Sequence, residues 1–201
     1  MRVFKHEQGS QAWLMSRLGC PSASNFHKLI TPAGKPSSQA DAYICEMISQ
    51  CFTMEIPETF SNEWMERGNE LEPKARQYYE MARGIEVQEV GFCKHEILQC
   101  GASPDGLVGD NGGLEIKCPA PATHCHYLMD GVLPTKYIPQ VQGCLWITGR
   151  DWWDFVSYHE TMPVLLTRVY RDDEYIKALE AQVTKACEKI HLGVETIGKM
   201  K

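Results

Sequence analysis

In the first third of the chain, apolar positions recur at helical spacing. In "CPSASNFHKLI" (20–30), Phe26, Leu29 and Ile30 predict a short helix, with Ser22 or Ser24 as its N-cap. "TPAGKPSS" (31–38) reads as a loop, and Ala42, Tyr43, Met47 and Ile48 place a second helix over 39–52. "PETFSN" breaks that pattern, and a longer helix is expected from about Asn62 to Arg83, stopped by Gly84.

Beyond Gly84 the period shortens. Ile85, Val87, Val90 and Phe92 predict one strand, and Ile97 to Ala102 the next, with Leu107 and Val108 extending the second as far as the "GDNGG" turn. "LEIKC" is then a short strand. "LPTKYIPQVQGCLWITG" (133–149) predicts a helix that Pro139 either kinks or starts and Gly149 ends. Strands over "WWDFVSYHE" and "VLLTRVY" follow, and an amphipathic helix over 172–191 closes the chain. Of the adjacent Trp152 and Trp153, one is expected in the core and the other toward the surface or a subunit contact. Helices before and after a mixed sheet give an α/β class, and 201 residues suit a single domain spanning 1–201.

Composition narrows the function classes. Twenty basic against twenty-six acidic residues give a net charge of −6, so any contact with nucleic acid must rest on a local basic patch. The acidic excess remains compatible with a bound cation. No apolar run reaches the ~18 to 20 residues of a membrane span, and "MRVFKHEQGS" has no signal-peptide core, so a cytoplasmic protein is expected. Nine cysteines without a C-x-x-C pair read as reduced thiols. "HCH" (124–126) has the wrong spacing for a structural zinc site.

The chemistry concentrates in "SPDGLVGDNGGLEIKCP" (103–119). Strand alternation points Glu115 and Lys117 to one face, and Leu114, Ile116 and Cys118 to the other. Asp105, at the end of the preceding strand, is brought beside Glu115 by the turn. Two close carboxylates share a proton or a cation, and a hard divalent ion such as magnesium suits them, with the Ile116 carbonyl as a further ligand. Lys117 then orients or helps deprotonate a bound water. On a half-exposed strand, a cross-strand or diagonal ion pair would explain Glu-x-Lys equally well.

Four segments, "RLGCPSAS" (17–24), "ERGNELEPKAR" (66–76), "SPDGL" with "GLEIKCP", and "QVQGCLW" (140–146), together resemble the successive motifs of the lambda exonuclease (YqaJ-like) branch of the PD-(D/E)xK nuclease superfamily. The resemblance implies a restriction-endonuclease-like core, a central mixed sheet flanked by helices. It implies a 5′-to-3′ exonuclease that digests one strand of linear duplex DNA to mononucleotides and leaves a 3′ single strand. By the same resemblance Glu72 joins Asp105, Glu115, Lys117 and Ile116 around two Mg2+ ions, with Mn2+ able to substitute. Glu66 and Glu70 are read as peripheral. Arg17, Ser24, Ser103 and Gln142 become a pocket for the 5′ phosphate. For Gln142 an ordinary polar helix position is the alternative, a description that suits Gln140 as well. Trp13, four residues before Arg17, is a candidate for stacking on DNA, with a core position as its default. The resemblance further implies a homotrimeric ring, a single-strand annealing protein as partner, and a phage or prophage origin in a bacterial host. An endonuclease on the same residues and a non-catalytic DNA-end-binding module are the alternatives.

Overall fold

The computed structural model describes residues 1–55 and 63–200. In chain order the elements begin with β1 (Arg2–Phe4), α1 (Gln11–Arg17), a 3-10 turn (Ala23–Lys28), α2 (Ala40–Thr53) and α3 (Glu63–Arg83). The strands β2 (Val87–Gln88), β3 (Phe92–Lys94), β4 (Gly101–Ala102), β5 (Gly106–Val108) and β6 (Gly112–Lys117) follow. The chain finishes with α4 (Pro121–Asp130), a 3-10 turn (Thr135–Tyr137), α5 (Ile138–Thr148), β7 (Trp152–Ser157), β8 (Leu165–Tyr170) and α6 (Asp173–Gly198). The expected break at 57–62 lies outside the described residues, as does the side chain of Glu66.

Five strands in the order β2-β5-β6-β7-β8 form the central mixed sheet, and β1-β3-β4 a smaller antiparallel one. The single strand expected from Ile85 to Phe92 is divided between these sheets, because the chain leaves the first at Gln88 and enters the second at Phe92. Likewise β4 and β5 are not one strand: Ser103, Pro104 and Asp105 carry the chain from the small sheet to the large. Asp105 therefore stands at the start of a strand rather than at the end of one.

β6 pairs antiparallel with β5 and parallel with β7, so α4 and α5 form the crossover between β6 and β7. The crossover begins with a helix that hydrophobic spacing left unassigned. Pro121 opens α4 and Gly131, at φ 66°, closes it, the proline-first, glycine-last arrangement of a short helix. Pro139 lies in the first turn of α5 and starts that helix without kinking it.

The two glycines after the "GDN" turn make room for aromatic rings. In register, Gly112 pairs with Trp152 and Gly113 with Trp153, and each indole lies against its glycine. Trp153 is fully buried, whereas Trp152 is half-buried beneath the Arg168 guanidinium. A Cβ at Gly113 would fall inside the Trp153 ring. Gly113→Ala is accordingly expected to lose ~1 to 3 kcal/mol of stability by overpacking, read from the midpoint of urea denaturation.

Candidate active site

Register places the acidic pair. Gly106 stands opposite Leu114, so one residue further along the ladder Asp105 faces Glu115. Asp105 Oδ2 accepts a hydrogen bond from the Ile116 N–H at 2.6 Å, which fixes its carboxylate across the strand end. Glu115 is 1% exposed. Its Oε1 accepts from Lys117 Nζ at 2.5 Å and from Gln140 Nε2 at 2.6 Å, while Oε2 is buried with no partner among the described residues. Lys117 Nζ also lies 5.5 Å from the centre of the Tyr137 ring. The ion pair is neither cross-strand nor diagonal: it joins Glu115 and Lys117 within the largely buried β6, and it leaves one carboxylate oxygen unexplained.

Glu72 reaches the same region from α3. Its Oε1 pairs with Arg76 Nη2 at 2.6 Å, and Arg76 Nη1 holds Glu89 at 3.0 Å. Glu72, Arg76, Glu89 and Asp105 line a cleft of about 650 Å³ together with Gln8 and Trp13. Gln8 donates to the carbonyls of Val90 (3.0 Å) and Pro104 (2.8 Å), pinning the N-terminal segment against the residue that precedes Asp105. A larger hollow, near 1050 Å³, lies at the opposite end of the sheet beside Arg83, Trp152 and Arg168, away from the carboxylates.

Crowding of acid groups controls their protonation. Burial, reinforced by Asp105, lifts Glu72 to about 7. Burial also lifts Glu115 to about 7 against the pull of the Lys117 ammonium, and it raises Asp105. Burial alone would lower Lys117, but Glu115 and Asp105 outweigh it and hold the ammonium charged beyond the usual lysine range. Among the described residues no three acidic, histidine or cysteine side chains already converge on one point. The donor set nevertheless fits a hard cation: three carboxylates that repel one another and a buried, unpartnered Glu115 oxygen. Glu72, Asp105, Glu115 and the Ile116 carbonyl are the groups available to hold it.

A pH dependence follows. Folded carboxyls raised from 4.5 to about 7 bind more protons than unfolded ones within that window, so stability falls as pH rises through it. Without divalent ions, melting temperature is expected to decline from pH 5 to 7.5. With magnesium the decline should flatten, because a cation takes over the neutralisation. A metal-free Tm that climbs across this range would refute the raised carboxyl values.

The second group of expected residues assembles around Trp13. Its indole N–H donates to Ser103 Oγ and to the Gly91 carbonyl, both at 3.1 Å. The Arg17 guanidinium lies over the Trp13 ring at 3.9 Å, and its Nη2 donates to Ser22 Oγ at 3.2 Å. Ser22 and Ser24 share a hydroxyl contact of 3.1 Å. Ser103, Trp13, Arg17, Ser22 and Ser24 thus form one continuous polar chain. The Trp13 N–H and one ring face are engaged within it, so the residue links Ser103 to Arg17. Ser22 occupies the N-cap position of the 3-10 turn without a capping hydrogen bond, which leaves its hydroxyl to Arg17.

Gln142 is not part of this group. Its amide donates to the Tyr170 carbonyl (2.9 Å) and accepts from the Asp172 N–H (3.0 Å), tying α5 to the start of α6. Two residues on a helix are turned about 200° apart, so when Gln142 faces α6, Gln140 faces Glu115. Pattern alone left the two glutamines interchangeable. Arg76 was also missed as a site residue, although its position four residues after Glu72 is the usual spacing of a helical ion pair. In "HCH", His124 is buried between Ser157 Oγ (2.7 Å) and the Pro163 carbonyl (2.9 Å), while Cys125 lies against Met162, so these two side chains turn to different partners.

A family model described as the YqaJ-like viral recombinase domain matches residues 12–151, which include both of these groups. The chain belongs to the YqaJ-like viral recombinase family. Solved structures agree with the placement. The YqaJ-like chain is 37% identical to LHK-Exo in complex with dAMP, over 95% of this chain and 97% of that one, with a TM-score of 0.85. It is 36% identical, over the same shares and with a TM-score of 0.86, to an alkaline exonuclease (LHK-Exo) from Laribacter hongkongensis. A phage related exonuclease from Haemophilus somnus 129PT shares the fold, at 20% identity and a TM-score of 0.69 over 90% and 96% of the two chains. No curated protein sequence matches the YqaJ-like chain. The mixed sheet flanked by helices is the expected fold class.

Proposed function

We propose that the chain is a magnesium-dependent 5′-to-3′ exonuclease acting on ends of double-stranded DNA. The observation that carries this reading is the Asp105 and Glu115 pair, facing across one strand ladder with Lys117 on the same face and a Glu115 oxygen left unpartnered. Kinship with proteins whose structures are those of exonucleases supports it. Magnesium held by Glu72, Asp105, Glu115 and the Ile116 carbonyl would supply Lewis acidity toward a phosphodiester and its attacking water.

The chain's own residues have separate tasks. Lys117, an ammonium bonded to Glu115, donates hydrogen bonds, offsets charge building on phosphate oxygens and orients the attacking water. Gln140 fixes one Glu115 oxygen so that the other is presented. Arg17, Ser24 and Ser103 offer a guanidinium fork and two hydroxyls to a terminal 5′ phosphate, arranged by Trp13. Fixing the end relative to the carboxylates is what distinguishes an end-dependent enzyme from one that cuts within duplexes. A ring of three copies around DNA would let a chain of net charge −6 hold its substrate topologically, and a single-strand annealing protein is the proposed recipient of the 3′ strand.

Acid-soluble nucleotide release from three duplexes tests the reading: linear with 5′ phosphate, linear without it, and closed circular. Release is expected with magnesium from the phosphorylated linear duplex, more slowly from the unphosphorylated one, and not from circles. Cutting of circles at a comparable rate would make the chain an endonuclease, and binding without release would leave an end-binding module.

A further inference from the structure

We propose that Arg76 is a binding arm for a backbone phosphate of the DNA strand in the cleft, and that Glu89 occupies the phosphate's place until the strand arrives. The assignment rests on the nuclease reading above and adds a residue and an exchange step to it. Arg76 lines the cleft that also contains Glu72 and Asp105, yet its side chain is only 13% exposed. The guanidinium is used unevenly. Nη2 is committed to Glu72 at 2.6 Å, Nη1 is held at 3.0 Å by Glu89, whose side chain is 70% exposed, and Nε is buried with no partner among the described residues.

Glu72 sets the orientation of the fork from within the same helix, one turn away. Glu89, by contrast, reaches in from solvent, where a carboxylate loses little by swinging out. A phosphodiester brings an anionic oxygen to which the guanidinium can donate, so it can take Nη1 from Glu89. Lys5 lines the same cleft and adds positive charge to it. Glu89 is thus the replaceable partner of a guanidinium whose orientation Glu72 fixes.

The test is a double-mutant cycle on DNA binding. Anisotropy of a fluorescein-labelled, 5′-phosphorylated duplex is measured in EDTA, where no strand is lost, for the unmodified chain, Glu89→Gln, Arg76→Gln and the double variant. Arg76→Gln is expected to weaken binding roughly 10- to 100-fold and to reduce the salt slope by about one contact. Glu89→Gln is expected to tighten binding, and that gain should vanish when Arg76 is absent. An equal gain with and without Arg76 would mean that Glu89 acts through general charge, and the assignment would fall. Arg76→Lys keeps the charge but loses the fork; it replaces Arg76→Gln in the cycle if thermal melting shows the glutamine variant unfolded, and full affinity in it would also overturn the arm. Nucleotide release in magnesium is measured on the unmodified chain in parallel. Release without Arg76–Glu89 coupling removes the arm and leaves the exonuclease; neither binding nor release removes both.

Discussion

Lys117→Ala is expected to reduce magnesium-dependent nucleotide release by about 100- to 10,000-fold, the range for loss of one positioned proton-handling or charge-stabilising group. Lys117 is the ammonium closest to the acidic pair, bonded to Glu115 and packed toward the Tyr137 ring. Its loss removes the donor that faces developing charge and releases the Glu115 oxygen it holds, so Glu115 keeps only Gln140. Single-turnover release from a 5′-phosphorylated linear duplex, with DNA affinity measured separately, checks this. An affinity within a few-fold of normal alongside collapsed turnover is the expected split. A variant that retains more than a tenth of the rate would remove Lys117 from the chemistry.

The second large effect concerns stability, and it originates away from the cleft. Asp154 on β7 is fully buried, and its carboxylate accepts two hydrogen bonds from Arg168 and one from the Tyr79 hydroxyl, each at 2.8 Å. Asp154→Ala leaves a buried phenol and a guanidinium without their acceptor. Breaking such a pair costs ~3 to 5 kcal/mol, and at about 2 to 4 °C per kcal/mol for a chain of this size the melting temperature should fall by roughly 6 to 20 °C. Tyr79 stands on α3 seven residues after Glu72, so the same bond seats the helix that brings Glu72 to the site. A thermal shift below 2 °C would show that Asp154 is not an anchor. The expected loss of activity at temperatures where the variant remains folded would reflect a displaced Glu72.

The strand of Glu115 and Lys117 was legible because its signal is local: period-two alternation fixes which face the two share, and a short turn fixes the opposite residue within one position. The long α3 and its glycine stop were legible for the same reason. Gly84 sits at φ 64°, a conformation glycine adopts without strain. What escaped the sequence depended on non-local pairing. An apolar alternation from Ile85 to Phe92 cannot show that its halves belong to different sheets. α1 offered little hydrophobic periodicity, and its one clear marker, Ser10 accepting from the Trp13 N–H, is a cap that becomes meaningful only once a helix is suspected. The misplaced glutamine has a similar origin: "QVQ" shows two polar side chains on nearly opposite faces, and the choice between them is made by Glu115 and by the start of α6, neither of which is nearby in sequence.

The parallel pairing of β6 with β7 has a consequence for the order in which the chain becomes competent. Gln140 reaches Glu115 from within the crossover, and the crossover is closed only when residues 152–157 align beside 112–117. During synthesis the acidic strand is therefore exposed early but stays without its glutamine support and its neighbouring strand until Ser157 has left the ribosome. A nascent fragment ending before that point carries every carboxylate of the site but lacks the strand that closes the crossover behind Gln140. For a chain whose proposed substrate is DNA in its own surroundings, activity then appears with the finished sheet.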